Sequence, residues 1–322
     1  MHLGSMLPTH CTGEYRVPAE TIRWWAREAT DAGFHGLWVL DHVVKPDTYH
    51  TSLLDPLIAL SHAAAVAPSA NLGTSILIAP LRHTANIASQ ALSIQHLTEG
   101  QVTLGLGAGY VPKEFEVTGV PRTERGPRVS EAVSVLNRLF EGEASFSGRF
   151  HEFENVRIDP VLDTPPKLLA GGSSIVDEDG NRRIPRPILD RILDCGGWLA
   201  RPTQPEKLEA EWEIISEYAR EQGVDPDSLR RVMLQYIHVV DTDDREEAHR
   251  EQKPAFEDYL AGDRDFDYAK RYCLTGTPAD IHADLDAVEA MGFDEVILGQ
   301  VVHTPADLEQ QFDLLVETFL DA

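Results

Sequence analysis

Two rhythms of apolar residues alternate along this chain. Compact runs without a polar face, Gly36-Leu-Trp-Val-Leu40, Asn71 to Pro80 and Val102 to Leu106, read as strands buried on both sides. Between them, apolar residues fall three and four apart. Ile22, Trp25, Ala26 and Ala29 form one stripe of a helix predicted over 18–32, with Pro18 in its first turn and Gly33 as its stop. Helices over 55–67 and 84–98 follow the same spacing, the second with Ile87, Ala91 and Ile94 on one face. Residues 2–9 predict a short opening strand that Pro8 ends.

The rhythm continues with more decoration. A helix over 124–140 carries Val129, Ala132, Val133, Leu136 and Phe140 on one stripe, and residues 144–153 predict a hairpin turning at Ser147-Gly148. Lys167 to Ala170 form a fifth strand that runs into the loop Gly171-Gly172-Ser173-Ser174. Residues 175–187, charged and bounded by proline, read as an exposed loop before a helix over 188–194. Strands over 197–200, 231–240 and 295–299 alternate with helices over 205–222, 244–260, 278–291 and 305–320.

Eight strands interleaved with helices predict an α/β fold, a (β/α)8 TIM barrel in one domain over 1–322, with insertions after strands four and five. A doubly wound sheet has the same rhythm and stays open as an alternative. In a barrel, the active site forms at the C-terminal ends of the strands. That rule gathers His10, Asp41, His42, Ser75, Ile76, Gly107 to Tyr110 and Gly171 to Ser174 on one rim. Lys167 would stand at the opposite end, which argues against Schiff-base chemistry.

Charge narrows the partners. A formal charge of −25 lacks the basic footprint that nucleic acid or an anionic membrane requires. Any phosphate on a ligand must then be held by local amides and arginines. No apolar run reaches the ~18 residues of a membrane span, and the N-terminus shows no secretory pattern. Cys11, Cys195 and Cys273 have no metal spacing and an odd count, so a reduced, cytoplasmic setting without a metal is expected.

His42 is the natural proton carrier of the rim, because imidazole titrates near neutrality. Asp41 precedes it, but consecutive strand residues face opposite ways, so both cannot simply enter one cavity. Gly105-Leu-Gly107-Ala108-Gly109 is a glycine-rich strand end without the third glycine of a dinucleotide fingerprint, where Tyr110 stands and Pro112 interrupts. Gly171 to Ser174 offer amides and two hydroxyls suited to a phosphate. Arg125 and Arg128 read as ion-pair partners of Glu131 on a helix surface, and Trp24, Trp25 and Trp38 as core.

In order along the chain, Val39-Leu-Asp41-His42, Leu72-Gly-Thr-Ser75-Ile76, Leu104 to Gly109 with Glu114-Phe115, Arg125 to Glu131, Phe146-Ser-Gly-Arg-Phe150, Pro165-Pro166 with Gly171-Gly172, and Gly276-Thr277-Pro278 resemble the luciferase-like flavin and deazaflavin oxidoreductases. The branch using coenzyme F420 looks closest at Asp41-His42 and Thr74-Ser75-Ile76. The resemblance implies hydride transfer between F420 and a small-molecule substrate, with His42 as proton carrier and a non-prolyl cis peptide at Ser75-Ile76. It further implies cofactor contacts from Asp41, Ser75, Ile76, Gly107, Ala108, Gly109, Gly171, Gly172, Ser173 and Ser174. Relatives using FMN share several of these motifs, so an FMN-dependent monooxygenase with a separate flavin or F420 reductase, and a catalytically degenerate flavin binder, are the alternatives. A homodimer is implied by the resemblance alone. Tyr110 stands where F420-dependent sugar-phosphate dehydrogenases have an acidic catalytic residue, so a different role for it in catalysis and a different substrate are expected. The segment around 146–153, the 175–187 loop and the Cys273 region are expected to shape the mouth of the site.

Overall fold

In a computed structural model of the chain, which describes residues 1–12, 17–44, 51–177, 180, 182–261, 264–302 and 306–320, eight parallel strands close into a barrel. In chain order these are β1 (His2–Met6), β2 (Gly36–Val39), β3 (Asn71–Ile78), β4 (Val102–Gly107), β5 (Lys167–Gly171), β6 (Gly197–Ala200), β7 (Arg230–Ile237) and β8 (Glu295–Gln300). Each pairs with its neighbours in sequence, and β1 pairs with both β2 and β8, which closes the ring. The doubly wound alternative is thereby excluded. Among the described residues no helix is long and apolar enough to cross a membrane.

Burial explains the featureless strands. β2, β4, β6 and β8 are buried at every position, because the barrel interior takes one face and the helices take the other. Met6, Trp38, Leu169, Leu199, Val232 and Ile297 form an inner cluster. A larger outer cluster joins Leu37, Leu72, Leu104 and Ala170 to the helical stripes, including Trp25, Ile87, Leu136 and Leu308. Trp25 and Trp38 are core, as their spacing predicts, and each indole N–H is satisfied, by Ser5 Oγ at 2.9 Å and by Glu295 Oε1 at 2.7 Å. Lys167 opens β5 at the N-terminal end of the barrel.

Local signals set the helix starts. Asp55 caps the Pro56–Ala64 helix by accepting from the Leu57 and Ile58 N–H groups, and Thr277 with Asp280 forms a reciprocal capping box on Pro278–Ala290. Two expectations need correction. Residues 175–187 are not simply a loop: Ile175–Val176 pairs antiparallel with Arg182–Arg183, and the next helix opens early, at Arg186, because Pro187 is tolerated in a first turn. Pro112 likewise opens a short helix, Pro112–Thr118, that Gly119 ends at φ +71°. The predicted hairpin forms from Ala144–Ser147 and Glu152–Val156 and folds back onto the Arg125–Phe140 helix. There Glu131 accepts from the Arg149 and Phe150 N–H groups and His151, so Arg128 pairs with Glu124 instead of Glu131.

Candidate active site

A cavity of about 400 Å³ opens at the C-terminal end of the barrel, where the βα loops converge. Its wall is built from residues far apart in sequence. The ends of β2 and β3 bring His42 and Ser75, Ile76 and Ile78, the turn after β4 brings Gly109 and Tyr110, and the end of β7 brings Leu234 and Tyr236. Arg201, Tyr259, Leu260, Arg264, Tyr268 and Cys273 complete the far side.

His42 is held by a residue the sequence reading left without a role. Glu114, in the first turn of the Pro112–Thr118 helix, is fully buried. Its Oε1 accepts the Val43 backbone N–H at 2.7 Å and lies 3.1 Å from His42 Nδ1. A carboxylate oxygen can only accept, so Nδ1 is the donor, which assigns the proton to Nδ1 and leaves Nε2 as the exchangeable nitrogen. Among the described residues, Glu114 Oε2 is buried without a hydrogen-bond partner. A carboxylate two positions into a helix that follows a glycine-rich strand end was the available signal, but nothing in the sequence aims it at His42.

Asp41 points elsewhere. Its carboxylate takes both Arg82 guanidinium nitrogens, at 2.6 and 2.8 Å, and the Ile78 N–H at 2.7 Å. Burial pushes the Asp41 carboxyl up, while Arg82 and the Ile78 amide pull against that rise. Arg82 also reaches Asp55, so Asp41, which borders the cavity, ties the end of β2, the end of β3 and a helix start together. Both residues lie past the end of β2 and border the cavity, but the Asp41 carboxylate is spent on Arg82 and Ile78, whereas His42 pairs with Glu114.

The Ser75–Ile76 peptide is cis, as the resemblance implies. Pairing between β3 and β4 slips at the same place: Thr74 faces Leu104, and Leu77 faces Leu106. The glycines of β4 serve this irregularity. A Cβ on Gly105 would lie 2.2 Å from the Thr74 carbonyl oxygen, and one on Gly107 would lie 1.8 Å from Ile76 Cδ1. Gly107 and Ala108, expected as cofactor contacts, are absent from the cavity wall, because the space beside Gly107 is filled by Ile76. Gly109 does reach the wall, in a left-handed conformation at φ +72°. Tyr110 sets its ring edge-on to His42, with centroids 5.7 Å apart, and is 44% exposed at the mouth.

Gly171 to Ser174 stand outside the cavity wall, and three donors of Ser173 and Ser174 are in use. Ser173 Oγ, Ser174 Oγ and the Ser174 N–H all donate to Glu211 Oε1, at 2.7, 2.6 and 2.6 Å. The Gly172 carbonyl accepts from the Trp198 indole. Of the segments expected to shape the mouth, Cys273 lines the cavity, whereas residues 146–153 and the described residues of the 175–187 segment do not. The side chain of His10 lies outside the described residues.

Residues 1–181 match the family described as luciferase-like monooxygenase. The 4-hydroxyprotoasukamycin monooxygenase of Streptomyces nodosus subsp. asukaensis is 27% identical over 80% of this chain, and the match spans 66% of its own length. An F420-dependent glucose-6-phosphate dehydrogenase of Kineococcus radiotolerans is 29% identical over 48% of each chain. Thus the chain spans less than two thirds of the length of these curated relatives. Among solved structures, a monooxygenase from Streptomyces bottropensis superposes with a TM-score of 0.79 at 21% identity, covering 100% of this chain and 99% of its own. An F420-dependent secondary alcohol dehydrogenase in complex with an F420-acetone adduct superposes at 0.78 and 20% identity, with 99% and 98% covered. With more than half of its length matched by the family pattern and its barrel shared throughout, the chain belongs to the luciferase-like monooxygenase family.

Proposed function

We propose that this chain is an oxidoreductase that moves a hydride between coenzyme F420 and a small organic substrate, with His42 as the proton carrier. The carrying observation is the Glu114–His42 pair on the wall of an apolar cavity. The cavity lies within the ~300–1,000 Å³ range of small-molecule sites. Leu40, Ile76, Ile78 and Leu234 give it apolar walls that suit a tricyclic ring. The loop at 171–174 fits a phosphate less simply, because Glu211 takes its donors. A bound deazaflavin would supply the two-electron chemistry that the side chains of the wall cannot.

The rest belongs to the protein's own groups. Glu114 fixes the His42 tautomer, so Nε2 can receive the proton that a hydroxyl loses when its carbon is oxidised, or return it in the reverse direction. Leu234, Tyr236, Tyr259 and Leu260 exclude water from the far wall, which strengthens each polar contact inside. Tyr110, edge-on to His42, restricts the imidazole from the mouth side.

A second reading, an FMN-dependent monooxygenase served by a separate reductase, is supported by the monooxygenase relative that aligns over 80% of the chain. Titration with F420 and with FMN separates the two. On the first reading F420 binds more tightly, and His42→Gln lowers turnover of a small alcohol or ketone by about 10²–10⁴-fold with cofactor affinity retained. Tight FMN binding without F420 binding favours the second. Full turnover by His42→Ala would end the proton-carrier assignment.

A further inference from the structure

Glu211 is an unusual occupant of its site. It lies on the Pro205–Glu221 helix with its side chain 1% exposed, and a single oxygen receives two hydroxyls and one backbone amide from the end of the β5 loop. Three short donors converging on one anionic oxygen is the arrangement by which loops hold a phosphate oxygen. Each hydroxyl is backed by a cation: Lys207 Nζ donates to Ser173 Oγ at 3.1 Å, and Arg182 Nη1 donates to Ser174 Oγ at 2.8 Å. Lys207 lies 3.6 Å from Glu211 as well.

Arg201 links this cluster to the cavity. It belongs to the cavity wall, makes no hydrogen bond or ion pair among the described residues, and sits close enough to Lys207 to oppose its charge. Burial and the neighbouring Arg201 and Arg182 hold the Lys207 ammonium below its ordinary value, against the pull of Glu211. In a chain with 53 acidic and 28 basic residues, cations gathered round one buried carboxylate are a local reversal of the overall charge. The protein thus carries an anion-binding loop, its cations and an anion of its own.

We propose that Glu211 is a built-in anion that occupies the donors of Ser173 and Ser174, so a phosphorylated flavin gains its phosphate contacts only by exchange with Glu211, and the site discriminates weakly between phosphorylated and phosphate-free flavins. The inference rests on the flavin or deazaflavin reading above, and deepens it by naming the residue that sets selectivity at the phosphate end. The exchange is unfavourable because a carboxylate expelled from three donors and a lysine must find water or new partners. Without its charge, the same donors and cations are available to the ligand.

The test compares phosphorylated and phosphate-free members of each pair, FMN with riboflavin and F420 with its bare deazaflavin chromophore, by calorimetric titration at fixed ionic strength. In the wild-type chain the two members of the pair that binds are expected within about threefold of one another, and a preference above about a hundredfold for the phosphorylated member overturns the proposal without any variant. In Glu211→Gln, affinity for the phosphorylated member rises about tenfold or more, the scale of one charge-assisted hydrogen bond, while the phosphate-free member stays within about twofold. An unchanged ratio, or a selective loss of the phosphorylated member, refutes the exchange. Inorganic phosphate provides a readout independent of flavin: it should raise the melting temperature of Glu211→Gln and leave the wild type unmoved. If no flavin binds but phosphate stabilises only the variant, the cofactor reading fails and the role of Glu211 stands. If phosphate affects neither protein and no flavin binds, the role of Glu211 falls too.

Discussion

Replacing Glu114 tests the centre of the proposed site with a result that can be worked out beforehand. In Glu114→Leu, the Val43 N–H and His42 Nδ1–H both lose their acceptor, at 2.7 and 3.1 Å in the native structure. A fully buried donor left unsatisfied costs about 1–3 kcal/mol, and with both bonds only partly buried the pair costs about 2–4. Against this, the substitution removes Glu114 Oε2, which is itself buried without a partner among the described residues and carries a comparable penalty. The net expectation is a loss of about 1–3 kcal/mol, read as a lowered urea midpoint. Glu114→Gln keeps an oxygen for both donors and should stay within about 1 kcal/mol of the wild type. The same pair of variants reports on the imidazole. With ¹⁵N-histidine, the His42 signal should be that of the Nδ1–H form in the wild type and in Glu114→Gln. In Glu114→Leu it should move toward the Nε2–H form, because the acceptor that fixed the proton on Nδ1 is gone. A leucine variant with native stability and an unmoved tautomer would mean that Glu114 does not hold His42.

Two further outcomes follow from the surroundings of the cavity. Gly105→Ala should cost about 1–3 kcal/mol or more in urea unfolding, since its Cβ would meet the Thr74 carbonyl oxygen at 2.2 Å in a wall that cannot yield. Gly107→Ala should cost less, because the atom it meets is the mobile end of Ile76, and an equal cost for both would contradict the account of the β4 glycines. Burial pushes the Cys195 and Cys273 thiols up from 9.0 to about 12. Their stabilising effect is therefore complete below about pH 9 and is lost as pH rises toward 12, so alkaline unfolding should steepen in that window. Peptide mapping after iodoacetamide at pH 8 should find Cys273 almost unmodified and the half-buried Cys195 modified slowly, and rapid labelling of Cys273 would overturn its placement.

Much of the barrel was legible because burial imposes simple patterns. A strand covered on both sides has no polar face to interrupt it, and a helix lying on the barrel must repeat its apolar residues at three and four. The eight strands could be located from those two constraints. The misjudged segments were short and polar, 112–118 and 175–187, where proline serves equally as an interruption and as a first helical residue. Within the site, His42 and Tyr110 come together, whereas Asp41 belongs to the frame and Gly107 to packing.

The sequence by itself determined the fold class, the rim on which chemistry collects, the family, and the histidine that faces the cavity. All of these follow from period, from strand direction or from ordered local motifs. Only the tertiary structure decided which partners those residues hold. Glu114 reaches His42 from 72 positions away, Arg82 engages the Asp41 carboxylate from 41 positions away, and Glu211 takes donors of a loop 37 and 38 positions earlier. Each is a long-range pairing of a buried charge with donors that must be satisfied, and sequence distance carries no information about which donors burial will bring within 3 Å.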